Sequence, residues 1–223
     1  MHYILNIHTS TETAIVNLTC GQELLGTRIN YVAKEHAAFL HPAILDLLNK
    51  EGVILKNLRA IGVSTGPGSY TGVRVGLASA YGLGYALQIP LVAYNSLEVM
   101  AKTAINFINV PTGLYCPMID AKRMEVFTAL YDNQLQELMP PSAMVLDENS
   151  FKEYLGSFKV GFCGSGSNKF QNISRGEKAY FIGTNISSES IAEISWKKYE
   201  RNDFHNIPYP QALYIKDFYT IVR

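Results

Sequence analysis

Short apolar runs separated by polar turns open the chain, and helical spacing follows them. Residues 3–7 and 13–18 read as strands joined by His8-Thr9-Ser10-Thr11-Glu12, with Gly21 as the next break. Residues 23–30 fit a third strand. From 34 to 50, Ala37, Leu40, Ile44 and Leu48 recur at the period of an amphipathic helix, and Gly52 fits its stop. Pro42 lies inside that run and predicts either a kink or the first turn of a second segment. Residues 60–64 predict a strand, 72–88 a helix, 90–93 a short strand and 96–107 another helix.

The second half begins with the same rhythm. Runs at 114–119 and 125–131 flank Asp120-Ala121-Lys122-Arg123-Met124. Shifted along the chain, Ile7 matches Ile119, His8 matches Asp120, Leu18 matches Leu130 and Gln22 matches Gln134. A repeated strand–turn–strand unit followed by helices predicts two related lobes. Residues 158–163 and 179–182 fit later strands of the second lobe, and Gly164-Ser165-Gly166-Ser167 is a second Gly/Ser turn. Residues 188–201 fit a helix with Ile191, Ile194 and Trp196 among its apolar positions. From Asn206 the tail carries Pro208 and Pro210, then Leu213-Tyr214-Ile215, and predicts an extended segment folded back on the body.

The densest signal is Gly66-Pro67-Gly68-Ser69-Tyr70-Thr71-Gly72-Val73-Arg74. Glycine and proline make a tight turn there, and Ser69 or Thr71 suits a helix N-cap. A strand, a Gly-rich turn and a helix start together make an anion site, because free N–H groups point out of the helix end. The phosphate-loop signature itself is missing, since no Gly-Lys-Ser/Thr follows. The same residues also read as a plain strand-to-helix turn. In the helix beyond, Gly72, Gly76, Ala80 and Gly84 form one stripe, and Ala78, Gly82 and Ala86 form a second. Interior glycine costs about 1 kcal/mol relative to alanine, so a helix with several needs close packing in return. The stripes suit packing on the chain's own sheet or first helix, or a helix that also meets a partner.

Composition narrows the choices. The 223 residues are 48% hydrophobic, ample for a core, and 19 basic side chains balance 19 acidic ones. That neutrality gives no electrostatic footprint for nucleic acid. No stretch of about 20 apolar residues is present to cross a membrane. Cys20, Cys116 and Cys163 are too scattered for a disulfide framework or a Cys-x-x-Cys motif, and read as core filler. With no leader pattern at the first residues, the expected compartment is the cytoplasm.

Several of these motifs resemble the bacterial TsaB (YeaZ) family. They are Ile4-Leu5-Asn6-Ile7-His8-Thr9-Ser10, Glu35-His36, the 66–74 motif and Ile119-Asp120-Ala121, with a looser fit at Cys163-Gly164-Ser165-Gly166 and Leu213-Tyr214-Ile215-Lys216. The resemblance implies a duplicated actin-like ATPase fold (ribonuclease H-like, sugar-kinase-like): α/β, with two lobes of mixed sheet and helices. It places a first lobe with partner-binding helices at 1–108, and a smaller, more divergent lobe with the tail at 109–223.

The resemblance further implies an accessory, non-catalytic subunit. Its complex adds threonylcarbamoyl to the adenosine next to the anticodon of tRNAs reading codons that begin with A. The implied partners are a catalytic TsaD-type subunit and a TsaE-type ATPase, with tRNA met only through the complex and a homodimer when alone. No cofactor is implied for this chain by itself, and ATP or ADP belongs to the assembled complex. The implied partner interface is Glu35, His36, Gly72, Gly76, Ala80 and Gly84. The vestigial phosphate-loop candidates are His8, Thr9, Ser10, Gly66, Pro67, Gly68, Ser69, Thr71, Arg74 and Asp120. His8 stands where the superfamily usually has aspartate, and Ser96 and Met100 stand where the catalytic paralogue has a histidine pair for metal. Neither catalytic nor metal residues are therefore expected. Two alternatives are a stand-alone ATP-dependent transferase of the sugar-kinase type and a metal-dependent glycoprotease-like peptidase. The first lacks the carboxylate at position 8, and the second lacks a His-Glu-x-x-His motif.

Overall fold

A computed structural model describes residues 2–108, 113–205 and 210–215. The 206–209 part of the predicted tail and Lys216 lie outside the described residues. The first half of the chain folds in the order β1 (Tyr3–His8), β2 (Ala14–Cys20), β3 (Glu23–Asn30), α1 (His36–Lys50), β4 (Leu58–Ser64), α2 (Tyr70–Leu87), β5 (Leu91–Tyr94) and α3 (Ser96–Phe107). The second half repeats that order with β6 (Gly113–Asp120), β7 (Glu125–Tyr131), β8 (Glu137–Val145), α4 (Lys152–Ser157), β9 (Lys159–Cys163), α5 (Ser167–Gln171), β10 (Ala179–Ile182) and α6 (Ser188–Glu200).

The two five-stranded sheets have the same topology, β3-β2-β1-β4-β5 and β8-β7-β6-β9-β10. In each, a three-stranded antiparallel meander joins two parallel strands through helical crossovers. The repeat seen in the sequence is thus a repeat of the fold. β8 was hidden from pattern reading by Pro140 and Pro141. It is an edge strand, where proline's missing N–H is tolerated. The short α4 and α5 gave no helical period to read. α1 runs through Pro42 without a break, and Pro42 lies on its exposed side.

The division at residue 108 needs a correction, because the last helix of each half packs on the other half's sheet. Leu97, Met100, Ala101 and Ala104 of α3 share a core with Tyr115, Ile119, Ala129, Tyr131, Cys163 and Ile182. From α6, Ile191 and Ile194 pack with Ile15, Tyr94 and Val99, and Trp196 covers Ile4, Ala60 and Val92. A buried polar chain fastens α6 down. The Asn6 amide donates to Asn17 Oδ1 at 2.8 Å, and Asn17 donates to the Ser188 carbonyl at 3.0 Å. Each sheet thereby buries an apolar face that its own half alone would leave wet.

α2 is seated by its glycines. Gly72, Val73, Gly76, Leu77, Ala80 and Gly84 are its buried residues. A Cβ on Gly72 would strike the Thr9 carbonyl oxygen, and one on Gly76 would strike Thr9 Oγ1. The reading of Gly72, Gly76, Ala80 and Gly84 as partner interface is therefore corrected. That stripe is the seat of α2 on the β1–β2 turn and sheet. The second stripe faces out: Ala78, Gly82 and Ala86 are exposed, and nothing lies within 4 Å of a Cβ placed on Gly82. A matched pair of substitutions checks this in chemical denaturation. Gly72→Ala overpacks a backbone contact and loses about 1–3 kcal/mol, whereas Gly82→Ala gains up to about 1 kcal/mol of helix propensity.

Candidate functional site

The strand ends β1 and β6, with the turns that follow β4 and β9, bring their loops together between the lobes. They border a cleft of about 420 Å³. Ser10, Thr11, Glu12, Gly68 and Ser69 line one wall, and Ile119, Asp120, Ala121, Lys122, Phe127 and Ser165 line the other. The two Gly-x-Gly-Ser turns are counterparts. Gly66 and Gly164 both take left-handed backbone, with φ of 97° and 87°.

In the first turn the helix end is already occupied by protein. The Ser69 N–H donates to the Ser10 carbonyl at 2.7 Å, and Ser69 Oγ caps α2 by accepting from Gly72 N–H at 3.2 Å. Thr9 Oγ1 donates to the Gly72 carbonyl at 2.7 Å. A side chain on Gly68 would collide with the Ser10 backbone. The glycines thus admit the β1–β2 turn, which takes the Ser69 N–H expected to face an anion. Pro67 is buried within the turn and Thr71 is exposed.

Behind the cleft wall lies a buried polar cluster. His8, Ser10, Ser64 and Ser96 are 0–2% exposed. The three serine hydroxyls lie 2.8, 2.7 and 2.9 Å from one another. Each hydroxyl has one proton, so three mutual bonds consume all three. His8 Nε2, 3.1 Å from Ser10 Oγ, must then be the donor. That leaves Nδ1 as the bare nitrogen, buried and without a hydrogen-bond partner in the structure. Burial, and next the His36 charge, pull the His8 pKa from 6.5 to about 3. Its ring stacks on Tyr94 at 6.1 Å, and the Tyr94 hydroxyl donates to the Ile7 carbonyl at 2.9 Å. At neutral pH, His8 is an uncharged hydrogen-bond donor.

Asp120, the counterpart of His8, keeps its charge but spends it within the chain. Its Oδ1 pairs with Lys169 Nζ at 2.7 Å and accepts from Lys122 N–H at 2.6 Å. Partial burial opposes ionisation, but Lys169 and Lys122 outweigh it and hold the carboxyl below its usual range. Lys169 also donates to the Glu125 carbonyl at 2.9 Å. Sequence reading missed Lys169. Setting the second Gly-x-Gly-Ser turn on the first would have found it, two residues past Ser167 as Thr71 is past Ser69.

Two further site expectations change. Arg74 points away from the cleft, over the Tyr70 ring at 3.7 Å, and its Nε donates to the Tyr214 hydroxyl at 3.0 Å. His36 is 4% exposed, and its Nε2 lies 2.9 Å from the Thr11 carbonyl, so it closes the β1–β2 turn and is no surface contact. Glu35 is exposed in the 3₁₀ turn before α1. Ser96 is committed to Ser10 and Ser64, and the Met100 sulfur packs at Gly164. Among the described residues, no group of three or more His, Cys, Asp or Glu could hold a metal ion. No described helix is long and apolar enough to cross a membrane. Burial raises the Cys116 thiol to about 12 and Cys163 also upward, as suits core residues rather than nucleophiles.

A family model described as TsaD, tRNA N6-adenosine threonylcarbamoyltransferase, matches residues 26–200. The tRNA threonylcarbamoyladenosine biosynthesis protein TsaB of Buchnera aphidicola subsp. Baizongia pistaciae is 30% identical over 158 residues, 68% of this chain and 69% of that protein. The chain belongs to the TsaB family, within the wider TsaD-like group. The TsaB of Bacillus subtilis (strain 168) is 38% identical over 145 residues, 64% of this chain. That match spans 62% of the Bacillus subtilis protein, less than two thirds of its length. YeaZ from Pseudomonas aeruginosa superposes with a TM-score of 0.79 at 25% identity, over 96% of this chain and 100% of that one. The architecture is the duplicated, actin-like and sugar-kinase-like α/β fold.

The neutral, buried His8 sets a pH dependence. Its folded pKa of about 3 lies below the usual 6.5, so the unfolded chain binds its proton first as pH falls. Stability from this group is complete above pH 6.5 and declines towards pH 3, by up to about 1.4 kcal/mol per pH unit. Urea titrations from pH 7 to 4 should show that slope in the wild type and a shallower one in His8→Phe.

Proposed function

We propose that this TsaB-family chain is an accessory subunit of the machinery that makes threonylcarbamoyladenosine in tRNA. It binds and activates a TsaD-type catalytic subunit, helps recruit a TsaE-type ATPase, and meets tRNA through that complex. The observation that carries this reading is the outward face of α1 and α2. α2 spans 18 residues with Arg74 as its one charge. Its exposed positions include Ala78, Gly82, Tyr85 and Ala86. Beside them α1 exposes Ala37, Ala38, Pro42 and Leu45, and His41 Nε2 meets Ser79 Oγ at 3.2 Å. A helix that is apolar or small all round needs cover on every side. Small residues let a second helix approach closely.

The interlobe cleft supports the non-catalytic side of the proposal. Where two free carboxylates would have to manage a metal-bound phosphate, His8 is neutral and buried, and Asp120 is tied to Lys169. Ser96 and Met100, at the paralogue's metal positions, are hydroxyl and thioether groups already packed internally.

Binding of a TsaD-type subunit to two leucine variants tests the interface. Gly82→Leu should fold with a melting temperature at or above that of the wild type and weaken binding by about tenfold or more, since an overpacked contact costs about 1–3 kcal/mol. Gly76→Leu should lose fold stability, because its side chain enters Thr9. Normal partner affinity in a folded Gly82→Leu variant would put the interface elsewhere. The same face offers the surface for self-association when the partner is absent.

A further inference from the structure

Residues 210–215 return to the first lobe and lie along the flank of α2 that the sheet leaves open. Pro210 is buried and Ala212 packs on the first-lobe core, and polar and ring contacts add to this. The Leu213 N–H donates to the Thr65 carbonyl at 2.8 Å. The Tyr81 hydroxyl donates to the Pro210 carbonyl. Arg74 Nε donates to the Tyr214 hydroxyl at 3.0 Å, with its guanidinium 5.9 Å from the Tyr214 ring. Tyr70 and Tyr214 meet at 5.5 Å between ring centres. The seating is loose. A groove of about 430 Å³ remains between the segment and α2, lined by Leu77, Ala78, Tyr81, Ala212 and the Arg74–Tyr214 pair. Leu213 and Tyr214 stay 39% and 45% exposed.

We propose that residues 210–215 are a latched strap that opens as a unit, with Tyr214 on Arg74 as the latch, and uncovers an apolar groove along α2. Dispersion contacts are lost wherever packing leaves a gap, so the stretch that spans the groove at Leu213 and Tyr214 is held more weakly than a packed segment. Such a segment belongs to the low-stability end of a fold and opens without the core. Ala78 lines the groove and also begins the outward stripe, so opening enlarges the uncharged surface of α2 from Gly82 back to Leu77 and Tyr81. The strap is a property of the isolated chain and stands whether or not a TsaD-type subunit is its partner.

Hydrogen exchange on the full chain reads the strap directly. In the wild type, the Leu213 amide should exchange faster than the amides of Gly76 and Ala80 on the inner side of α2. In Tyr214→Ala it should speed up by about tenfold or more while those inner amides keep their rates, the behaviour of a separately opening unit. The variant should also bind more of the dye ANS, which takes to the uncovered groove. The proposal is overturned if Leu213 and the inner amides exchange at one common rate, or if Tyr214→Ala leaves Leu213 unchanged. It is equally overturned if the variant melts as a whole, since a separable cover carries no global stability.

Discussion

The turn after β1 presses its backbone into α2, and this one contact orders much of the first lobe. Thr9 and Ser10 sit against Gly68, Gly72 and Gly76, where any side chain would collide with them. Thr9 Oγ1 and the Ser10 carbonyl then hold the helix start by hydrogen bonds. Fixing that face of α2 inward fixes the opposite stripe outward. The uncharged outer surface is thus a consequence of how the helix is seated. The same contact takes up the Ser69 N–H that a phosphate would otherwise meet. One packing contact both occupies the Ser69 N–H and leaves the Ala78, Gly82 and Ala86 stripe facing outward.

The duplication makes this loss legible as chemistry. The two lobes share sheet order, turn geometry and strand ends, yet their two key positions diverged. In one lobe the strand ends in a buried, uncharged imidazole that donates to Ser10, itself joined to Ser64 and Ser96. In the other it ends in an aspartate neutralised by Lys169 from α5. Across the cleft stand hydroxyls, Lys122, Glu12 and a carboxylate already paired. The crossed packing of α3 and α6 ties the lobes together.

Much of this was readable before the fold. β3, β7, β10 and α3 have the bounds their hydrophobic periods predict, and the repeat announced the duplicated topology. What stayed hidden was what only tertiary contacts decide. Both stripes of α2 are small residues, so composition alone did not say which faces the sheet. β8 escaped because prolines on an edge strand look like a loop. Arg74 sits in the Gly-rich motif but serves the tail, through a tyrosine 140 positions away. His8 looked like a turn residue because the serines that complete its cluster through Ser10 come from β4 and α3.

The central claim is that the chain acts through its surface and leaves the chemistry to a partner. Reconstitution measures this most directly: threonylcarbamoyl incorporation into tRNA by TsaD-type and TsaE-type subunits, supplied with an activated threonylcarbamoyl donor, with and without this chain. The account predicts no incorporation by the chain alone, little by the partners alone, and strong multiple-turnover incorporation by all three. Incorporation by the chain alone, or full activity of the partners without it, would contradict the account.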